Sequence, residues 1–238
     1  RLIALLALTI LAGTLTWPHR REVLEFLAPP EADYVADQAL GDGYGRASAD
    51  LSAAWSVPLK PGYGGAEVFD RKAYVLDREI GVGDTLRVID ALTGAPLWTF
   101  SYEEPGRLQS AGSRNAPAVN ERFVLTCSGF GLVHCIDRST QEARWSLRLD
   151  EDLGGEMPDF GYSADPLLHD DLVILPALGD EVGLVALRQS TGEVAWSTAP
   201  VGTSQSQPVL MRLLGEEFVL FLSCEEQGAG ENSPAPVR

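Results

Sequence analysis

Three histidines, three cysteines and 34 carboxylates are what this 238-residue chain has for building a reactive or metal-binding site. Their spacing argues against most such sites. His19, His134 and His169 are scattered, and no second nitrogen or sulfur ligand stands near them at the spacing a zinc site needs. His134 falls in an apolar run and reads as a space-filling strand residue, while His169 opens a turn. The stretch "DEDLGGEMPD" (150–159) offers carboxylates to a hard cation but lacks the D-x-D-x-D-G order of a calcium loop, so it reads as solvated loop. Asp165, Asp170 and Asp171 sit at turn positions and read the same way. "CSGFG" (127–131) lacks the strand, sharp turn and helix of a nucleophile elbow. "GDGYG" (41–45) has the look of a dinucleotide loop, but no strand precedes it and no phosphate-binding helix follows. No catalytic, cofactor-binding or metal-ligating residue is assigned.

The cysteines point away from disulfides. Cys127, Cys135 and Cys224 are odd in number, so no complete framework exists. A hairpin closed around "SGFG" (128–131) would set Cys127 against Leu132 and Cys135 against Val124. That register puts the two sulfurs on opposite sheet faces, where they cannot bond. Free, mostly buried thiols are expected.

Charge narrows the class of partner. Eighteen Lys and Arg face 34 Asp and Glu, a net charge of −16, and Arg1, Arg20 and Arg21 all flank one apolar N-terminal segment. A surface this acidic repels phosphate backbones, so nucleic acid is not an expected partner. The segment itself, "LIALLALTILAGTLTW" (2–17) before "PHRR", is short for a spanning helix and suits the apolar centre of a signal peptide. No clean cleavage site follows it. Residues 1–21 are therefore expected to be a cleaved signal or an uncleaved signal-anchor helix. Either way the remainder is extracytoplasmic, and any membrane association runs through this segment alone. Residues 22–50 read as a connector, in which "EVLEFL" (22–27) could form one or two amphipathic turns that "APPEAD" stops.

The elements that must position everything else repeat. Trp55, Trp98, Trp145 and Trp196 are separated by 43, 47 and 51 residues, the period of propeller blades made of short strands. Each unit opens with a short extended piece, often with proline ("APAV", 116–119; "DPLL", 165–168; "QPVL", 207–210). A polar turn and an apolar second strand follow: "KAYVLD" (72–77), "RFVLTC" (122–127), "LVILPA" (172–177), "FVLFLS" (218–223). These second strands scarcely alternate, as befits strands covered on both faces. A third strand, a Thr-Gly-type turn and a tryptophan strand complete the unit. Gly94 and Gly192 can take the positive φ that a tight reversal needs. Asp90 and Asp137 can accept from the amides of the turn that follows. Each tryptophan is expected to fill the gap to an adjoining blade, its indole N–H seeking a carbonyl.

"VIDALTGAPLW" (88–98), "CIDRSTQEARW" (135–145) and "ALRQSTGEVAW" (186–196) resemble the tryptophan-docking repeat of pyrroloquinoline-quinone-like (PQQ-like) β-propellers. That repeat has Ala, Asp, Gly and Trp at positions 1, 3, 7 and 11. Val88, Asp90, Gly94 and Trp98 stand there in the first copy, Cys135, Asp137, Gln141 and Trp145 in the second, and Ala186, Arg188, Gly192 and Trp196 in the third. Every copy departs somewhere, though never at the tryptophan.

The resemblance implies an all-β fold: a propeller of four-stranded antiparallel blades over residues 51–224. A tryptophan strand at 51–58, units near 62–100, 112–149 and 160–199, and a partial unit at 205–224 give about four blades, with a polar tail at 225–238. The family usually has seven or eight, so a fragment or an open propeller is expected. Asp90, Gly94, Trp98, Asp137, Trp145, Gly192, Trp196 and Trp55 are the expected blade-docking residues.

Functionally, the same repeat serves quinoprotein dehydrogenases and propellers without cofactor, the outer-membrane assembly lipoprotein among them. A quinoprotein needs PQQ, a divalent cation such as calcium, an aspartate base and, in many members, a disulfide between adjacent cysteines, and no Cys-Cys pair occurs here. The expectation is a non-catalytic extracytoplasmic scaffold that binds a protein partner and no cofactor. The alternative is a PQQ-dependent dehydrogenase whose catalytic blades lie outside this sequence.

Overall fold

The structure, a computed structural model, describes residues 4–7 and 53–224. The rest of the expected signal or signal-anchor segment, the expected connector with its "GDGYG" loop and the polar tail lie outside the described residues. Strand β1 (Ala4–Ala7) is followed by a first unit of β2 (Ala66–Phe69), β3 (Lys72–Glu79), β4 (Gly83–Asp90) and β5 (Pro96–Glu103). The second unit is β6 (Ala118–Val119), β7 (Phe123–Cys127), β8 (Leu132–Asp137) and β9 (Ala143–Arg148). The third is β10 (Leu167–His169), β11 (Leu172–Pro176), β12 (Leu184–Arg188) and β13 (Val194–Ser197). β14 (Val209–Leu213) and β15 (Glu216–Phe221) begin a fourth.

Each of the first three units is a four-stranded antiparallel meander with its strands in chain order. In the fourth, β1 takes the place beside β15 that a third strand holds elsewhere, and it runs parallel to β15. The architecture is thus a row of propeller blades, three complete and one begun. Pro117, Pro166 and Pro208 stand immediately ahead of β6, β10 and β14, where a residue without an amide donor costs the ladder nothing.

The core lies between the sheets. Tyr74, Leu76, Leu86 and Val88 of the first unit meet Val124 and Ile136 of the second. Leu125, Cys127, Val133 and Cys135 of the second meet Val173, Leu175, Val185 and Leu187 of the third. Ile174, Leu184 and Ala186 of the third meet Val219 and Phe221 of the fourth. Ala73, Val75 and Ile89, on the first unit's other face, are covered by Trp55 and Val57. Successive residues of each inner strand therefore serve opposite interfaces, which is why β3, β7 and β11 are buried along nearly their whole length without alternation.

One expected register is corrected. Cys127 pairs with Val133 and Cys135 with Leu125, one residue away from the expected alignment. The Ser128 amide donates to the Leu132 carbonyl at 2.9 Å, so the loop is three residues long and closes on Gly131 at φ +87°. A three-residue loop ending in a left-handed glycine is a standard hairpin closure. The one-residue slip turns both thiols to the same face, into the core between the second and third units. Cys127 and Cys135 are nonetheless free and buried, and Cys224 is free and exposed.

Candidate functional site

A meander fixes two ends. The turns between first and second strands and those carrying the docking motif lie at one end. The loops between second and third strands, and the links from unit to unit, lie at the other.

At the turn end, the docking residues form one repeated geometry. The amides of Gly94, Gln141 and Gly192 donate to the carbonyls of Asp90, Asp137 and Arg188 at 2.9, 2.7 and 2.8 Å. All three closing residues are left-handed, with φ of +74°, +63° and +77°. Gln141 thus adopts glycine's conformation despite its Cβ. Asp90 Oδ1 accepts from the amides of Leu92 and Thr93 at 3.0 and 2.8 Å, and those bonds hold its carboxyl below the usual range. Asp137 Oδ1 accepts from the Ser139 hydroxyl at 2.6 Å and its amide at 2.9 Å, with the same effect. Arg188, which has no carboxylate to offer, instead donates to Asp171 Oδ2 at 2.9 Å.

Trp55, Trp98 and Trp145 each reach the turn of the unit that follows. A methyl added at Gly94 would stand 2.8 Å from the Trp55 ring, and one at Gly192 would stand 2.9 Å from that of Trp145. The indole N–H groups of Trp55 and Trp145 donate to Ala91 O and Gln189 O at 3.1 and 2.8 Å. The buried Cys135 thiol also donates to Gln189 O, at 3.2 Å, and burial pushes that thiol up to about 12. Trp98 lines a shallow depression with Arg138 and Ser139 of the second unit's turn and meets Tyr74 edge-on. Trp196 packs between the third and fourth units, where its buried indole N–H has no acceptor among the described residues. The fourth unit's β14 and β15 do not include the turn that would supply one.

The loop end contains polar residues that the sequence alone did not single out. Arg78 donates to Asp84 Oδ1 at 2.9 Å and to the Glu104 carbonyl at 2.8 Å, while its guanidinium lies 4.6 Å from the Phe130 ring centre. Glu104 also pairs with Arg148 of the second unit at 3.3 Å, so one carboxylate joins two blades. Burial raises the Asp84 and Glu104 carboxyls, and the guanidiniums only partly oppose it. The pairing of Arg78 opposite Asp84 in the β3–β4 ladder is the signal that could have found this cluster. Beside it, His134 packs against both Phe100 and Tyr102, with ring centres 5.3 and 4.3 Å away. Neither ring nitrogen has a partner among the described residues, and burial lowers its pKa to about 4.

The links between units form rungs joining equivalent positions of neighbouring blades. Asn115 Nδ2 donates to Ala164 O at 2.9 Å, and the Ser163 hydroxyl lies 2.5 Å from Gln205 Oε1. Asp165 Oδ1 accepts from the Ala116 amide at 2.6 Å and Oδ2 from Gln207 Nε2 at 2.7 Å. The expectation of a solvated turn carboxylate at Asp165 is thereby corrected. It is half-buried and ties the second, third and fourth units together, because its turn abuts two blades that a single-sequence reading could not place.

Between the third and fourth units the loop end opens into a cleft of about 660 Å³. Glu156, Met157, Asp159 and Phe160 stand on one wall, with Asp180 on the 177–183 loop and Thr203, Ser204 and Gln205 opposite. Its framework is braced. The amide of Gly155 donates to Leu149 O, that of Glu156 to Ala177 O and that of Gly161 to Pro158 O, at 2.7, 3.0 and 2.7 Å. A Cβ on Gly179 would stand 1.9 Å from the Gly154 carbonyl oxygen, so the two loops touch backbone to backbone.

Such an arrangement can recognise a ligand. The buried carboxylates Asp84 and Glu104 at this end are engaged by arginines, whereas Glu156, Asp159 and Asp180 at the cleft are exposed. A family model described as outer membrane protein assembly factor BamB matches residues 82–229. Among solved structures, the chain is similar to BamB from Moraxella catarrhalis, with 22% identity and a TM-score of 0.41, over 57% of this chain and 36% of that one. It is similar to a europium-containing methanol dehydrogenase at 17% identity and a TM-score of 0.45, over 61% of this chain and 26% of that one. Quinohemoprotein alcohol dehydrogenase from Comamonas testosteroni gives 20% and 0.45, over 59% and 21%. The chain therefore spans well under two thirds of each of these structures. No curated protein sequence matches it.

Proposed function

Because this chain belongs to the PQQ-like β-propeller repeat family typified by outer membrane protein assembly factor BamB, we propose that it is a non-catalytic, extracytoplasmic scaffold that presents its loop end to a protein partner. The observation that carries this reading is the family match, which runs from β4 to beyond β15. The apolar composition of residues 2–17 supports the extracytoplasmic part of this reading.

The interblade bonding supports the same reading. Asp84, Glu104 and Asp165 hold Arg78, Arg148, Ala116 and Gln207 in place, which makes a rigid platform for the loops. A cation of the kind that the family's dehydrogenase members use finds little to hold it among the described residues, which supports the reading without cofactor. No three His, Cys, Asp or Glu side chains converge among the described residues, and the loop-end carboxylates just named are already engaged.

Titration of the complete chain with PQQ and calcium, read by tryptophan fluorescence and by dye-coupled alcohol oxidation, tests the non-catalytic reading. Neither saturable quenching nor turnover is expected at tens of micromolar. Stoichiometric quenching with turnover would make the protein an oxidoreductase.

A further inference from the structure

We propose that the cleft between the third and fourth units binds an extended segment of a protein partner that inserts an arginine flanked by apolar side chains. This rests on the scaffold reading and names the chemistry of the partner's contact. Three observations converge on it.

The first is charge. Glu156, Asp159 and Asp180 line the cleft, all exposed, and none has a cationic partner among the described residues, whereas Asp77, Asp84, Glu104 and Asp137 nearer the blades each have an arginine. The second is apolar exposure. Met157 is 42% and Phe160 52% exposed, on the same loop as two of the carboxylates. A guanidinium suits this mixture better than an ammonium, since it bonds carboxylates through a planar fork and lies against aromatic faces. Within this chain Arg78 already does both, bonding Asp84 while lying over Phe130.

The third observation is size and stiffness. A cleft of about 660 Å³ holds a few side chains of an extended segment and not a folded domain. The loop that carries Met157 and Phe160 is pinned at Gly155, Glu156 and Gly161 by the backbone bonds described above. Its binding groups are therefore held in place before the partner arrives, which lowers the entropy lost on association.

The test uses the complete chain and a fluorescein-labelled nonapeptide of alternating leucine and arginine, followed by fluorescence anisotropy. A counterpart peptide carries glutamate in place of arginine. The cleft variant combines Glu156→Gln, Asp159→Asn and Asp180→Asn. A control variant combines Glu67→Gln, Glu103→Gln and Glu142→Gln, exposed residues away from the cleft, so both variants lose the same charge. The arginine peptide is expected to bind the native and control chains alike and the cleft variant about tenfold more weakly, as the loss of three partly exposed ion pairs implies. Phe160→Ala should weaken it as well, and the glutamate peptide should not bind.

Equal weakening in the cleft and control variants would mean general attraction to an acidic surface and would overturn the proposal. Self-association that only the cleft variant abolishes would make the occupant a second copy and overturn it too. Cross-linking of the same variants in an envelope extract separates this proposal from the reading beneath it. Adducts that persist in the cleft variant leave the scaffold standing and remove the cleft. The absence of adducts with every variant removes the scaffold.

Discussion

The indole of Trp145 lies on the backbone of Gly192, a residue of the next unit, so closely that a methyl group there would be 2.9 Å from the ring. The same indole donates to Gln189 O three residues earlier. One side chain thus reads two features of its neighbour's turn, the missing Cβ and the outward carbonyl. Trp55 does the same at Gly94 and Ala91.

Gly192→Ala is expected to destabilise the protein by about 2 kcal/mol or more, since the new methyl meets the ring and the residue must stay left-handed. Gln141→Gly should act the other way. Gln141 already holds φ +63° with an exposed side chain, so relief of the left-handed penalty should gain about 1 kcal/mol. Urea unfolding of the two variants checks both signs. A loss of stability in Gln141→Gly would show that its side chain makes a contact worth more than the strain.

The two half-buried indoles at successive interfaces should differ in the cost of losing their N–H. Trp145→Phe removes a hydrogen bond and should cost about 1 kcal/mol beyond the change in packing. Trp196→Phe removes a donor that has no acceptor among the described residues and should cost correspondingly less. Equal costs in matched denaturation curves would mean that Trp196 finds a carbonyl elsewhere in the protein.

His134 gives the fold a dependence on pH. Its pKa is lowered from 6.5 to about 4, so the unfolded chain takes up the proton first as the pH falls. Stability is unaffected by this residue above 6.5 and falls between 6.5 and about 4, by roughly 1.4 kcal/mol per pH unit. Asp84 and Glu104, which lie nearby with raised pKa values, act in the opposite sense, because the folded state protonates them first. His134→Leu should flatten the slope in this window. An unchanged slope would place the proton uptake elsewhere.

Arg78→Met should be the most damaging of the charge removals, at about 3 kcal/mol near neutral pH, because it strands Asp84 in the interior. The loss should shrink on acidification, as Asp84 becomes neutral. Adding Asp84→Asn to Arg78→Met should recover part of the stability. If the double variant is worse than the single one, the carboxylate rather than the pair is what the interface requires.

How much of this could be read beforehand varied from element to element. The unbroken apolar runs at 73–76 and 172–177 and the recurring turn before each tryptophan are local signals, and they mark the strands and their order. The β7–β8 register was not legible, because "SGFG" can close a four-residue loop or a three-residue one. The choice rests on the Ser128–Leu132 bond, which composition does not reveal. Asp165 and the Arg78–Glu104–Arg148 chain were missed for a different reason. Their partners are 26 to 49 residues away, and the burial that makes a charge consequential exists only once blades are stacked.

The account's central claim is that this propeller meets a protein through its loop end. A photo-cross-linking amino acid placed at Phe160, in the cleft, and separately at Leu92, exposed on the turn end, measures it most directly in an envelope extract of the source cell. Discrete protein adducts from position 160, with none from position 92, are the predicted result. Adducts from the turn end alone, or from neither position, would contradict it.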